Sequence, residues 1–123
     1  MSDDSSSQIQ FSLWDGPTPE FVPAPPDQTK PETIEQRFQI FHQQNPWVYA
    51  ALVRLARDLQ RNGHQRCGIK MLFEVIRWQW SRETSSADGF RLNNSMTSRF
   101  ARLIMQQEPD LEGFFEVREL KAA

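Results

Sequence analysis

Arg99 and Arg102 stand one helical turn apart, and Asn94, Ser95 and Ser98 precede them at spacings that place all five on one side of a helix. Each of these residue types can recognise nucleic acid. Asparagine pairs with adenine, arginine with guanine edges or phosphate, and serine with phosphate. The pattern therefore predicts a helix that enters a duplex groove N-terminus first. The same residues also suit a solvated face or a surface turned toward another protein. Glu112, Glu116 and Glu119 in the tail that follows would oppose a phosphate backbone. Two readings stand: a protein associated with double-stranded DNA, and an adaptor or inhibitor of another protein with no DNA contact. A second row, Arg54, Arg57 and Arg61 at i, i+3 and i+7, is either a solvated face or one that tracks phosphates.

Catalytic chemistry finds little to build on. His42 and His64 fall on different elements with no Cys, Asp or Glu at ligand spacing, so no metal is expected. Cys67 has only His64 nearby in sequence, and Gly63 and Gly68 around them mark a turn. There is no Gly-x-Ser-x-Gly and no glycine-rich phosphate loop. The expectation is a non-enzymatic chain without cofactors. Pro109-Asp110 followed by Glu119-Leu120-Lys121 resembles the Pro-Asp…Glu-x-Lys motif of a large nuclease superfamily, whose acids bind a divalent metal while the lysine orients water. That motif requires a mixed sheet of several strands, which a helix-rich chain does not supply.

The N-terminal region holds one apolar segment within polar, proline-rich sequence. In residues 8–14, Gln8-Ile9-Gln10-Phe11-Ser12-Leu13-Trp14, apolar residues alternate and then double. Such a segment either folds back as a staple on the domain or docks in extended form on a partner. Gln10-Phe11-Ser12-Leu13-Trp14 resembles the pentapeptide by which bacterial replication and repair proteins bind the DNA polymerase sliding clamp. The resemblance implies that Gln10, Phe11, Leu13 and Trp14 make the contact, with Phe11 and Trp14 departing from the usual Leu and Phe.

These residues need elements to position them. A first helix is predicted from Pro31 to about Gln43, with Ile34, Phe38 and Phe41 on its inner stripe. Asn45 as N-cap and Pro46 at the first position start a second, which buries Val48, Leu52, Leu55 and Leu59 and stops at Asn62-Gly63. A third runs from about Gly68 to Arg82. Ile69, Leu72, Phe73, Ile76 and Trp80 form its stripe, and Met71, Val75 and Trp78 widen it. So wide a stripe predicts a central helix packed on more than one side. The fourth is capped by Asn93 or Asn94, ends before Pro109, and buries Met96, Phe100, Leu103 and Ile104. Residues 90–92 and 114–118 read as two short strands, the second able to serve as a wing.

Charge divides along the chain. Residues 1–35 hold seven acids against one base, a net of −6, whereas residues 36–123 hold thirteen bases against nine acids, a net of +4. Eleven of those thirteen bases are arginine, which suits bidentate contacts. A single cysteine excludes an intrachain disulfide, no apolar run reaches membrane-span length, and residues 1–10 have no signal-peptide pattern. A soluble, cytoplasmic protein is expected, with no membrane partner. Asn45-Pro-Trp-Val-Tyr49, the Leu92-Asn-Asn94 turn, Ser98-Arg-Phe-Ala-Arg102 and Phe114-Phe115-Glu116 together resemble small uncharacterised proteins of phage and bacterial genomes. That resemblance implies a bacterial or phage-infected cell and no activity. The predicted architecture is mainly α. A disordered acidic tail (1–30) precedes a compact four-helix domain (31–123), winged-helix-like if the short β addition forms.

Overall fold

The computed structural model describes residues 13–14, 16–23, 31–84 and 94–116, with the side chains of residues 31–33 and 94 outside that description. Four helices carry the fold: α1 (Pro31–Gln44), α2 (Pro46–Arg61), α3 (Ile69–Glu83) and α4 (Asn94–Gln107). A single 3₁₀ turn, Pro109–Leu111, follows them. This is the predicted four-helix architecture, with each helix starting and stopping within a residue or two of its sequence signals.

The inner stripes are those that period 3.6 selects. Phe38 and Phe41 from α1, Val48, Leu52 and Leu55 from α2, Ile69, Leu72, Phe73, Ile76 and Trp80 from α3, and Met96, Phe100 and Ile104 from α4 are all buried. Phe100 lies at the centre. Its ring meets Phe38, Phe73 and Phe41 edge-on at centroid distances of 4.9, 5.6 and 6.0 Å. Such edge-to-face contacts favour one arrangement of rings over others. Ala51 and Ala56 are fully buried on α2, where small side chains allow neighbouring helices to approach closely.

Local signals explain the boundaries. Only Asn45 separates α1 from α2. Its amide still donates to the Phe41 carbonyl at 2.8 Å, and Pro46 then begins the next helix without an N–H. At the other end of α2, Gly63 adopts φ +97°, which a side chain would oppose. The His64 amide reaches the Leu59 carbonyl at 3.0 Å and the Gly63 amide reaches Gln60 at 3.1 Å, the two bonds of a Schellman stop.

Three expectations are corrected. The β addition is a single parallel bridge between Cys67 and Phe115, and no strand occurs among the described residues. Cys67 donates to the Phe114 carbonyl at 3.0 Å, and Glu116 donates back at 3.4 Å. The alternation fails because Phe114 and Phe115 are both buried, so the segment cannot show one face to solvent as a wing strand would. Residues 90–92 and 117–118 lie outside the described residues. The second correction concerns α3, which is packed on one side only. Met71, Val75 and Trp78 are exposed.

The third concerns residues 13–14 and 16–23, expected within a disordered tail. Of the two readings of residues 8–14, the fold-back staple is the one that describes Leu13 and Trp14. Residues 1–12 and 24–30 lie outside the described residues. Leu13 and Trp14, 4% and 7% exposed, belong to the hydrophobic core, and Phe21 packs against it. Residues 13–14 and 16–23 form a strap across α1, α2 and α3. The physical reason is economical: two tryptophans and a phenylalanine gain more from mutual burial than an extended chain loses by being ordered.

Candidate functional site

The helix face predicted to contact DNA is assembled on α4 but is not free. Ser95, Ser98, Arg99 and Arg102 are all partly buried there, and the side chain of Asn94 lies outside the described residues. Arg99 donates from Nε to Glu35 Oε1 of α1 at 2.9 Å and from Nη1 to the Ser95 carbonyl at 3.2 Å. Ser98 donates to the same carbonyl at 3.2 Å. The Arg99 side chain is 21% exposed, and hydrogen bonds from Gln39 and from Arg99 hold the Glu35 carboxyl below its ordinary range. Arg102 also has an interaction of its own. Between α1 and α4, Glu35, Gln39, Arg99 and Arg102 line an open cleft of about 250 Å³ together with Phe38 and Leu103.

In the arginine row on α2, Arg57 is similarly occupied. Arg57 donates to Glu108 at 2.7 Å and to both carboxylate oxygens of Asp110 at 3.0 and 3.1 Å. Gln60 adds a bond to the Asp110 carbonyl at 2.7 Å, and the Tyr49 hydroxyl donates to Glu108 at 2.9 Å. The hydrogen bond from Arg57 lowers the Asp110 pKa. Burial, then the Glu108 carboxylate, pushes the Tyr49 phenol well above its usual value. The cluster ties the 3₁₀ turn to α2. Asp110, the acid of the nuclease-like pattern, thus faces an arginine, and residues 119–121 lie outside the described residues.

The docking peptide is divided. Gln10 and Phe11 lie outside the described residues. Leu13 and Trp14 are not presented to solvent but inserted into the core. The Trp14 ring meets Trp47 edge-on at 5.3 Å, and its indole N–H donates to Glu83 Oε1 at 3.1 Å. A partner could engage Leu13 and Trp14 only by removing them from this site.

The groups considered for catalysis occupy unreactive settings. Burial, with a contribution from Glu116, pushes the Cys67 thiol up to about 11, so it stays protonated near neutrality. Desolvation lowers the pKa of His42, which sits among the rings of Phe38, Tyr49 and Phe100, and its buried Nδ1 meets no hydrogen-bond partner. Among the described residues, no three His, Cys, Asp or Glu side chains converge as a metal site would require. None of the helices among those residues is long and apolar enough to cross a membrane.

The feature that sequence reasoning missed is the outer face of α3. Trp78 is 61% exposed, Met71 49% and Val75 38%, an apolar row at i, i+4 and i+7. The Arg82 guanidinium lies 4.8 Å from the Trp78 ring centroid and extends the row by one turn. Lys70 and Arg77 flank it, with Glu74 bonded to Arg77 at 3.5 Å. The signal was present in the spacing. At about 100° per residue, positions 71, 75 and 78 fall opposite the stripe of 69, 73, 76 and 80 and do not widen it.

No family model, curated protein or solved structure matches the chain.

Proposed function

We propose that this chain is a non-enzymatic protein-binding module whose outer α3 face docks an apolar segment bearing acidic residues. The observation that carries this reading is the row of Met71, Val75 and Trp78 on the side of α3 that faces away from the core. A tryptophan, a methionine and an arginine are residue types enriched where proteins meet, and an exposed apolar face costs solubility unless a partner covers it. Lys70, Arg77 and Arg82 around the row, set against Glu74, favour acidic character in that partner. The test compares the full chain with a Met71→Ser/Trp78→Ser variant as bait in cross-linked pull-downs from cells that express it. A partner held by the wild type and released by the equally stable variant supports the reading. Equal retention by both would sink it.

The second reading is contact between α4 and duplex DNA, supported by the arginine surplus of residues 36–123 and by the position of Arg99 and Arg102 on one helix. For that contact Arg99 must exchange Glu35 for phosphate. The exchange is inexpensive, since a partly exposed ion pair is worth about 0–1 kcal/mol. Anisotropy of labelled duplex DNA at low and moderate salt separates the two readings. Binding that falls steeply with salt, and whose salt slope flattens in Arg99→Ala/Arg102→Ala, supports DNA. An absence of duplex binding at low salt leaves the protein-binding reading alone. The N-terminal peptide would recruit a second partner, such as a sliding clamp, only from a strap-released state.

A further inference from the structure

Side chains from α2, from α3 and from Asn45 at the α1–α2 junction bond the backbone of the N-terminal strap. The Trp80 indole N–H donates to the Pro19 carbonyl at 2.9 Å and the Trp47 indole N–H to the Glu20 carbonyl at 3.2 Å. Asn45 accepts the Val22 amide on Oδ1 and donates from Nδ2 to the Val22 carbonyl, both at 2.8 Å. Contacts of this kind read the backbone and are largely indifferent to side-chain identity. Indole N–H groups facing the carbonyls of a proline-containing chain are the chemistry by which aromatic grooves take preformed extended peptides. Pro17, Pro19 and Pro23 restrict the strap before it binds and so reduce the entropy lost on docking.

Side-chain anchors sit at either end. Trp14 packs on Trp47 and donates to Glu83, which also accepts from Thr18. Seven residues on, Phe21 lies between the rings of Phe41 and Trp80 at 5.7 and 5.8 Å. A seven-residue connection, 24–30, joins the strap to α1. A tether so short presents the strap to its groove at an effective concentration on the order of millimolar.

We propose that the groove formed by Asn45, Trp47, Trp80 and Glu83 is a binding site for an extended, proline-containing segment of another protein. The chain's own residues 13–23 are its resident competitor. The ligand presents an aromatic ring with an N–H or O–H donor to Glu83, proline-rich backbone to Trp80 and Trp47, and a second ring between Phe41 and Trp80. This site uses the buried side of α3, so it stands or falls separately from the exposed row on the same helix.

The test titrates the ¹⁵N-labelled full chain with an unlabelled synthetic peptide spanning residues 12–23. Displacement should move the strap's own Thr18, Glu20 and Val22 amides to free-peptide positions while the Trp47 and Trp80 indole signals keep their bound positions. Half-displacement is expected on the order of millimolar peptide, set by the tether. Phe21→Ala in the full chain, which weakens only the competitor, should lower that concentration about tenfold. A peptide N-methylated at Val22 cannot donate to Asn45 and should fail to displace. No displacement by the unmodified peptide, or equal displacement by the methylated one, overturns the proposal. A concentration-dependent dimer in which two copies exchange straps overturns it as well, since the occupant would then be a second copy.

Discussion

Asn45 shows how one residue can satisfy a sequence rule and be committed elsewhere. An asparagine before proline at a helix start reads as an N-cap, yet its side chain makes no cap bond. Fully buried, it bonds Val22 twice and donates to the Phe41 carbonyl at 3.1 Å. Local pattern could locate the helix boundary, but the partner of that amide lies 23 residues upstream, in a segment without periodicity. Asn45→Ala should cost roughly 1–3 kcal/mol, because it leaves the half-buried Val22 amide and carbonyl without partners and removes a bond to the Phe41 carbonyl. Urea unfolding measures that cost, and a change under about 0.5 kcal/mol would show that the clamp is idle. Glu83 gives a pH-dependent counterpart. Partial desolvation raises its pKa, but hydrogen bonds from Thr18, Gln79 and Trp14 outweigh this and hold it below the ordinary 4.5. A depressed carboxyl contributes stability that is present above its unfolded pKa and lost as pH falls through the folded one. The Trp14 indole resonance should therefore lose its bound position on acidification below about pH 4.5. In Glu83→Gln that acid-dependent component should be absent.

At the scale of elements, the four helices were legible because each carries its own punctuation: Pro31, Asn45-Pro46, Asn62-Gly63 and Pro109, with apolar residues at period 3.6 between them. What spacing did not settle was the number of buried faces on α3. Two apolar rows on one helix are consistent with burial on both sides or with burial on one and presentation of the other. Only the neighbours decide, and here α2 and α4 pack on the row that holds Ile69, Phe73 and Ile76. The distinction has a direct energetic signature. Ile76→Ala, inside the core, should lose about 2–5 kcal/mol through lost contacts and a cavity. Met71→Ser/Trp78→Ser should stay within about 1 kcal/mol of wild type, since both side chains already face water. Thermal unfolding of the two variants side by side checks this. A double variant that unfolds like Ile76→Ala would mean the outer row is core after all. The α4 face was legible as to which residues share a side, but not as to Glu35, which reaches Arg99 from 64 positions away.

The whole molecule is larger than the domain that composition delimits. Residues 31–123 contain every helix among the described residues, and a polar, proline-rich lead-in of net charge −6 over residues 1–35 reads as separate from them. The structure nonetheless places Leu13, Trp14 and Phe21 on the core and uses Asn45, Trp47, Trp80 and Glu83 to hold the segment between them. Removing residues 1–30 would uncover those pockets and take from Asn45 both of its bonds to Val22, leaving only those to Phe41. At about 25 cal/mol per Å² of apolar surface, two aromatic side chains and a leucine represent several kcal/mol. The total stability of a domain this size is about 5–15 kcal/mol, so such a loss is a large fraction of it. The chain from residue 31 onward should accordingly unfold at a much lower temperature and bind more hydrophobic dye than the full chain. Adding the synthetic strap peptide at millimolar concentration should return both properties toward those of the full chain. A truncated chain as stable as the intact one would show instead that the helices close their core alone and that the strap lies on a surface already complete.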